Sequence, residues 1–319
     1  MRVKIELGYD GTRFHGWATQ PGMATVQGTV EDCLATILRV RSHDRAAGCG
    51  LADGRGHADG HGPDPEPMGR LVVAGRTDAG VHASHQICHV DVDPELLDGV
   101  VGHMGVGWSQ ALAHRMNHLL PPDIRIINVS QAPKGFDARF SALDRLYVYR
   151  LADGSGVVDP RLRGFVASCG HTLDVDVMND VASLMIGLHD FGSFAIPSPH
   201  GTTIRNVIEA AWHRCDTGDG CLRGVAGDLM EFTIRADAFA HNMVRSLVGA
   251  SIIVGSGKRD VAWFSSKLDV PRREGFTGPA EARGLTLERV RYPDDAFLGS
   301  RAESVKALRT LDGERRAGV

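Results

Sequence analysis

The chain has 319 residues, 43% of them hydrophobic, and a formal net charge of −4. That length and apolar content support a sizeable core in one to three domains, and no run of eighteen apolar residues exists to span a membrane. The opening "MRVKIELGYDG" alternates like a strand and carries no apolar core with a small-residue cleavage site, so it is no secretory signal and the cytoplasm is the expected compartment.

Residues 3–9 read as a strand. In "TVQGTVEDCLATILRV" Val26, Val30, Cys33, Leu34, Ile37 and Leu38 recur at helical spacing behind Thr25, a candidate N-cap, which predicts an amphipathic helix of about four turns. The pattern then collapses. Residues 43–69, "HDRAAGCGLADGRGHADGHGPDPEPMG", are rich in Gly, Asp, His and Pro; they cannot bury enough apolar surface to offset their ordering entropy, and a disordered insertion is expected. Its "HADGH" sets His57, Asp59 and His61 close together, but the spacing matches no structural zinc pattern and lacks cysteine partners, so no metal is expected. "RLVVAG" (70–75) and "HQICHVDV" (85–92) read as strands around a Gly-bounded turn, "SQALAHRMNHLL" (109–120) as a helix and "PPDIRIINVSQ" (121–131) as a strand that follows it. The first half is therefore β-α-β-β-α-β, a split βαβ arrangement.

The candidate domain boundary lies at 130–140. Beyond it "RLYVYRLA" reads as strand and "DVDVMNDVASLMIGLHDF" (174–191) as helix. "TIRNVIEAAWHR" and "LMEFTIRAD" follow as strands, "AFAHNMVRSLVGASIIVGSG" (238–257) as a strongly apolar helix and "GLTLERVRYP" as a last strand. The reading is an α+β chain with units at 1–134 and 135–298, and a loose polar tail at 299–319. The six cysteines, Cys33, Cys49, Cys88, Cys169, Cys215 and Cys221, form no Cys-x-x-Cys pair and read as scattered reduced thiols. Net charge by itself argues mildly against nucleic acid. Arg139, Arg145, Arg150, Arg161 and Arg163 nonetheless fall in one short stretch, which composition alone assigns to a solvated face.

"VVAGRTDAGVHA" (72–83) carries the sharpest chemical signal. Residues i and i+2 of an extended segment point to the same side, so Arg76 and Asp78 are expected to face one place. Gly75 and Gly80 permit the tight backbone around them. A guanidinium beside a carboxylate favours its ionised form, and an ionised, partly desolvated carboxylate can act as a nucleophile. An Arg–Asp pair in a turn can also serve simply as a brace.

"GYDGTRFHGW" (8–17), "TVQGTVED" (25–32), "GRTDAGVHA" (75–83), "FDARFSA" (136–142) and "AFAHNMVRSLVG" (238–249) occur in that order. Together they closely resemble the TruA family of tRNA pseudouridine synthases, over nearly the whole chain except 43–69 and the tail. The resemblance implies that Asp78 is the nucleophile and Arg76 the arginine beside it. It makes Tyr147 in "DRLYVY" the tyrosine that lies against the target base, Arg245 a basic partner of the aspartate, and Leu285 in "RGLTL" an apolar lining residue. An arginine in so apolar a helix needs a carboxylate partner in any case, which independently suggests the Arg245–Asp78 pair.

The resemblance further implies isomerisation of uridine to pseudouridine at tRNA positions 38 to 40, without cofactor. It implies a homodimer whose subunits share one tRNA, and two ferredoxin-like domains whose mainly antiparallel sheets join and are flanked by helices. With tRNA as the partner, the arginine stretch, Arg139 and Arg163 in particular, reads as phosphate contact. The long 43–69 segment and the low net charge depart from the family pattern. Two other readings remain: a non-catalytic RNA-binding protein on the same scaffold, which would have no need of both Asp78 and Arg245, and a metal-dependent hydrolase using His57, His61 and His82 or His85.

Overall fold

Alternation in the first strand sets the two faces of the sheet. In β1 (Arg2–Tyr9) Val3, Ile5, Leu7 and Tyr9 are buried and the residues between them half-buried, because successive side chains of a strand point to opposite faces. The structure, a computed structural model, describes residues 1–40, 68–154, 159–198, 201–215, 229–273 and 278–305. After β1 come α1 (Val26–Leu38), β2 (Val72–Val73), β3 (His82–Asp91), α2 (Pro94–Val101), α3 (Trp108–Leu119) and β4 (Ile124–Gln131). The second half contains β5 (Asp144–Ala152), β6 (Ala167–Ser168), α4 (Val175–Leu184), β7 (Gly187–Asp190), β8 (Ile204–Arg214), β9 (Leu229–Ala236), α5 (Met243–Gly255), α6 (Val261–Asp269), β10 (Leu285–Arg291) and α7 (Leu298–Val305).

The strands form one sheet in the order β4-β1-β3-β10-β5-β9-β8-β7, with β2 on β3 and β6 on β5. Pairing is antiparallel except at β3–β10 and β5–β6. The fold is thus α+β, with a large, mainly antiparallel sheet flanked by helices. The last strand, β10, lies between β3 of the first half and β5 of the second, so the two halves share one continuous sheet. Residues 132–143, which overlap the boundary expected at 130–140, carry no helix or strand. One face of the sheet is apolar and covered by helices. The other is polar, with Lys4 and His85 on Glu6 at 2.9 and 3.1 Å, and Arg150 between Glu231 and Glu288 at 2.9 and 3.0 Å.

Several local expectations hold in place. Thr25 caps α1, its hydroxyl accepting from the Gly28 amide, and Val26, Val30, Cys33, Leu34 and Leu38 form its buried face. Others change. "RLVVAG" forms a strand only over Val72–Val73, with the Ala74 amide still bonded to the Ile87 oxygen at 2.8 Å; Glu31 takes the Leu71 amide at 2.9 Å and the chain bends at Ala74. The helix expected over 174–191 stops at Leu184: Gly187 has φ +110°, outside the helical range, and 187–190 pair with β8 instead. The apolar helix begins only at Met243, since Asn242 is left-handed at φ 63° and leaves 238–242 as a loop.

Helices α2 and α6 are additions, each opened by an aspartate cap, Asp93 and Asp260. The segment expected to be an insertion to residue 69 ends sooner, for Met68 is buried and bridges to Val92. Residues 299–305, assigned to a loose tail, continue α7, in which Leu298 and Ala302 are buried. Residues 43–67, with His57, Asp59 and His61, and residues 306–319 lie outside the described residues. Among the described residues no helix is long and apolar enough to cross a membrane.

Candidate active site

The segment that carries Asp78 is pinned nearly carbonyl by carbonyl. The Ala74 oxygen accepts from Arg145 Nη2 at 2.6 Å and the Gly75 oxygen from Gln86 Nε2 at 2.8 Å. The Thr77 oxygen accepts from the Trp17 amide at 3.0 Å, and the Asp78 oxygen from the Val81 amide at 3.1 Å. The buried Thr77 hydroxyl shares a 2.7 Å hydrogen bond with Tyr9. "GYDGTRFHGW" clamps the outside. Gly16, at φ +88°, lies so close that a Cβ there would stand 2.9 Å from the Thr77 oxygen, and a Cβ at Gly11 would stand 2.0 Å from the Val81 oxygen. Close backbone approach thus explains both glycines.

Beyond the turn, buried His82 accepts from the Gly11 amide at Nδ1 (3.0 Å) and has Nε2 3.1 Å from the Arg283 oxygen. Burial lowers the pKa of this imidazole, against the Asp10 carboxylate, whose Oδ1 lies 3.2 Å from Nδ1 and acts to raise it. Both ring nitrogens are therefore engaged. His85 lies on the polar face against Glu6, and among the described residues no group of three or more metal-ligating side chains exists.

Asp78 is about one-fifth exposed. Arg245 Nη1 lies 3.4 Å from its Oδ2, and His241 Nε2 lies 3.5 Å from its Oδ1. Arg245 is oriented in turn by its Nε, which donates to the Ala280 oxygen at 2.8 Å. The carboxylate of the first half thus meets a guanidinium from α5 of the second. Arg76 behaves otherwise: it is exposed and makes no ion pair with any described residue. The strand ends at Val73 and the backbone bends at Ala74 and Gly75, so the i, i+2 rule that suggested an Arg76–Asp78 pair does not apply there.

Tyr147 lies on β5 beside the turn. It is buried, and its ring meets Phe239 edge-on at 5.1 Å between centroids. Burial, with the negative charge of Asp78 among the further causes, pushes its hydroxyl above the ordinary tyrosine range. Leu285 is buried on β10 opposite Tyr149, which makes it a diagonal neighbour of Tyr147, and Leu287 sits directly across.

The arginine stretch is not one face. Arg139 and Arg163 are exposed, with the Arg139 guanidinium 5.3 Å from the centre of the Phe140 ring and Arg163 donating to the Pro160 carbonyl. Arg161 is exposed but paired with Asp159. Arg150 is held between Glu231 and Glu288. Arg145 is buried and bonded to backbone carbonyls. Neither Arg145 nor Arg150 is an exposed cation like Arg139 and Arg163: β5 buries the first and holds the second in ion pairs on the polar face of the sheet.

Residues 181–293 match the family model described as tRNA pseudouridine synthase. The tRNA pseudouridine synthase A of Bifidobacterium longum is 50% identical over 97% of this chain and 99% of its own length. The chain belongs to the tRNA pseudouridine synthase family. The enzyme of the same name from Bifidobacterium animalis subsp. lactis is 51% identical over 97% of this chain and 99% of its own, and that of Streptomyces griseus 40% identical over 98% and 95%.

As a pseudouridine synthase the chain presents one carboxylate, one guanidinium and an aromatic wall at the seam of its halves. Sequence reading missed Phe239 and His241 beside the carboxylate, and it put Arg145 among the phosphate contacts instead of beside the turn. The first two were legible only as parts of a helix that in fact starts at Met243. An arginine three residues before a buried strand centre was the available signal for the third.

Proposed function

We propose that this protein isomerises uridine to pseudouridine in the anticodon stem-loop of tRNA, at tRNA positions 38 to 40, with Asp78 as the nucleophile. The observation that carries the reading is the Asp78 carboxylate itself. It is partly exposed, ion-paired with Arg245 from the other half of the chain, and set beside the Tyr147–Phe239 wall. The target uridine must leave the stack to reach it, and a flipped base stacks on an aromatic surface. Asp78 attacks carbon, at C6 of the base or C1′ of the ribose. The N1–C1′ bond breaks, C5 bonds to C1′, the Asp78–carbon bond breaks to free the carboxylate, the C5 hydrogen leaves as a proton and N1 gains one, so atoms and electrons balance with no cofactor.

Arg245 orients the carboxylate and Leu285 lines the base pocket. Arg76, exposed and unpaired among the described residues, is free to meet RNA. The enzyme works in the cytoplasm as a homodimer that shares one tRNA, with one unit at 1–134 and a second that starts at 135 and includes α7. Pseudouridine mapping of tRNA from a strain lacking this gene tests the reading: positions 38 to 40 should lose the modification, which the purified protein should restore. Intact modification there would leave an RNA-binding role in its place.

Binding should be electrostatic and local. Arg139→Ala and Arg163→Ala should each weaken tRNA binding and reduce the slope of log Kd against log salt by about one, as loss of one phosphate contact does. Filter binding across a salt series reads this out; two unchanged slopes would put the RNA on another surface.

A further inference from the structure

Burying a guanidinium is costly unless its donors are satisfied, and arginine keeps its charge in any protein setting. Arg145 is 7% exposed, yet among the described residues it makes no ion pair. Its donors go to three backbone carbonyls instead: Nη1 to Asp237 at 2.6 Å, and Nη2 to Ala74 at 2.6 Å and Arg139 at 2.7 Å. None of these oxygens lies in a strand pair. Ala74 opens the turn that carries Asp78. Arg139, itself exposed, belongs to the loop after β4, whose Phe136, Ala138 and Ser141 are buried. Asp237 opens the loop that carries Phe239 and His241. A buried carbonyl without a donor is itself unfavourable, and one planar fork answers the buried contact to Ala74 together with the part-buried ones to Asp237 and Arg139, which a lysine point charge does poorly.

We propose that Arg145 is a positioning residue for the isomerisation: by clasping these three carbonyls it sets the place of Asp78 relative to Phe239, Tyr147 and His241. The inference rests on the reading of Asp78 as the nucleophile. Its geometry is specific. The Nε of Arg145 is 4.0 Å from where a Gly75 Cβ would lie, so the guanidinium stem packs against the turn itself. Gln86 and Trp17 hold the same turn, but from β3 and from the first loop of its own half. Arg145 ties it to the half that supplies Tyr147, Phe239, His241 and Arg245. The positive charge also acts on the buried Tyr147 hydroxyl, against the burial that raises its pKa.

The test compares wild type, Arg145→Met and Arg145→Lys, with enzyme in excess over C5-tritiated tRNA, the folded fraction measured alongside, and tRNA Kd measured separately. Arg145→Met should hold tRNA within about threefold and lose about 100-fold in single-turnover rate per folded molecule, the scale of an ångström-sized misplacement. Arg145→Lys should recover part of that rate, and it carries the test if the methionine variant does not fold. A full rate per folded molecule with a lowered melting point would make Arg145 a brace and no more. A Kd loss at unchanged rate would make it an RNA contact. Amide hydrogen exchange gives a readout independent of turnover: protection over 74–81 and 237–242 should fall in the variants more than elsewhere. Unchanged protection there overturns the proposal, whereas an inactive wild type with the expected exchange pattern overturns the isomerase reading alone.

Discussion

Asp78→Asn protein should fold, bind tRNA within roughly tenfold of wild type (about 1.4 kcal/mol) and form no detectable pseudouridine. The amide keeps the size of the carboxylate and can still accept from Arg245, whose Nη1 lies 3.4 Å away. The turn around it is held mostly by other groups: Arg145, Gln86, Trp17 and Tyr9 bond to residues 74–77. What the substitution removes is the charge that makes the group a nucleophile. A purely structural role for Asp78 predicts the reverse, a lower melting point with turnover retained per folded molecule. Tritium release from C5-labelled tRNA, run beside a thermal melt, separates the two. Measurable turnover by cleanly folded Asp78→Asn protein would remove Asp78 from the chemistry, and with it the main ground for reading the site as an isomerase.

Arg245→Met should lower the single-turnover rate by roughly 30-fold, or about 2 kcal/mol, the scale of one charge-assisted hydrogen bond in a partly screened setting. Its side chain is 16% exposed and that of Asp78 22%, so solvent weakens the pair without abolishing it. Methionine fills much the same volume on an apolar helix, and stability should change less than rate. Arg245→Lys should fall between. It keeps the charge but loses the planar fork that lets Nε hold the Ala280 carbonyl while Nη1 reaches Asp78. Equal rates for wild type and Arg245→Met, each per folded molecule, would mean that the pair only braces the seam. With Asp78→Asn inactive and Arg245→Met merely slow, the two variants together distinguish the group that reacts from the group that orients it.

The local elements were largely legible because local rules decide them. Alternation fixed β1, helical spacing with a Thr25 cap fixed α1, and both stand where periodicity put them. Even α2 and α6 carried a signal, an aspartate cap before a helical run, with Pro94 just behind Asp93 in the first. Failures came where a distant partner outweighed a local preference. Residues 187–190 looked helical by composition but form an edge strand, because β8 offers a ladder and Gly187 can turn into it. His82–Ser84 looked like turn but extend β3, where His82 and Ala83 pair with β10 from two hundred residues away.

The same division runs through the site. By itself the sequence determined which residues had chemistry to offer. A carboxylate in a Gly-bounded turn and an arginine stranded in an apolar helix were visible as side chains needing partners, since an unpaired charge in an apolar setting is costly wherever it lies. Which partners they take was decided only by tertiary structure. Spacing offered Arg76 to Asp78, but the bend at Ala74 and Gly75 leaves Arg76 in solvent, while β10, slotted between β3 and β5, brings the two halves into one sheet and Arg245 to the carboxylate. Arg145 shows the limit most clearly: five arginines within one short stretch looked alike in sequence, and only their places in the fold separate the exposed Arg139 and Arg163 from one buried on three carbonyls. A residue's type is written in the chain, but its dielectric surroundings and its hydrogen-bond partners exist only once distant segments have packed together.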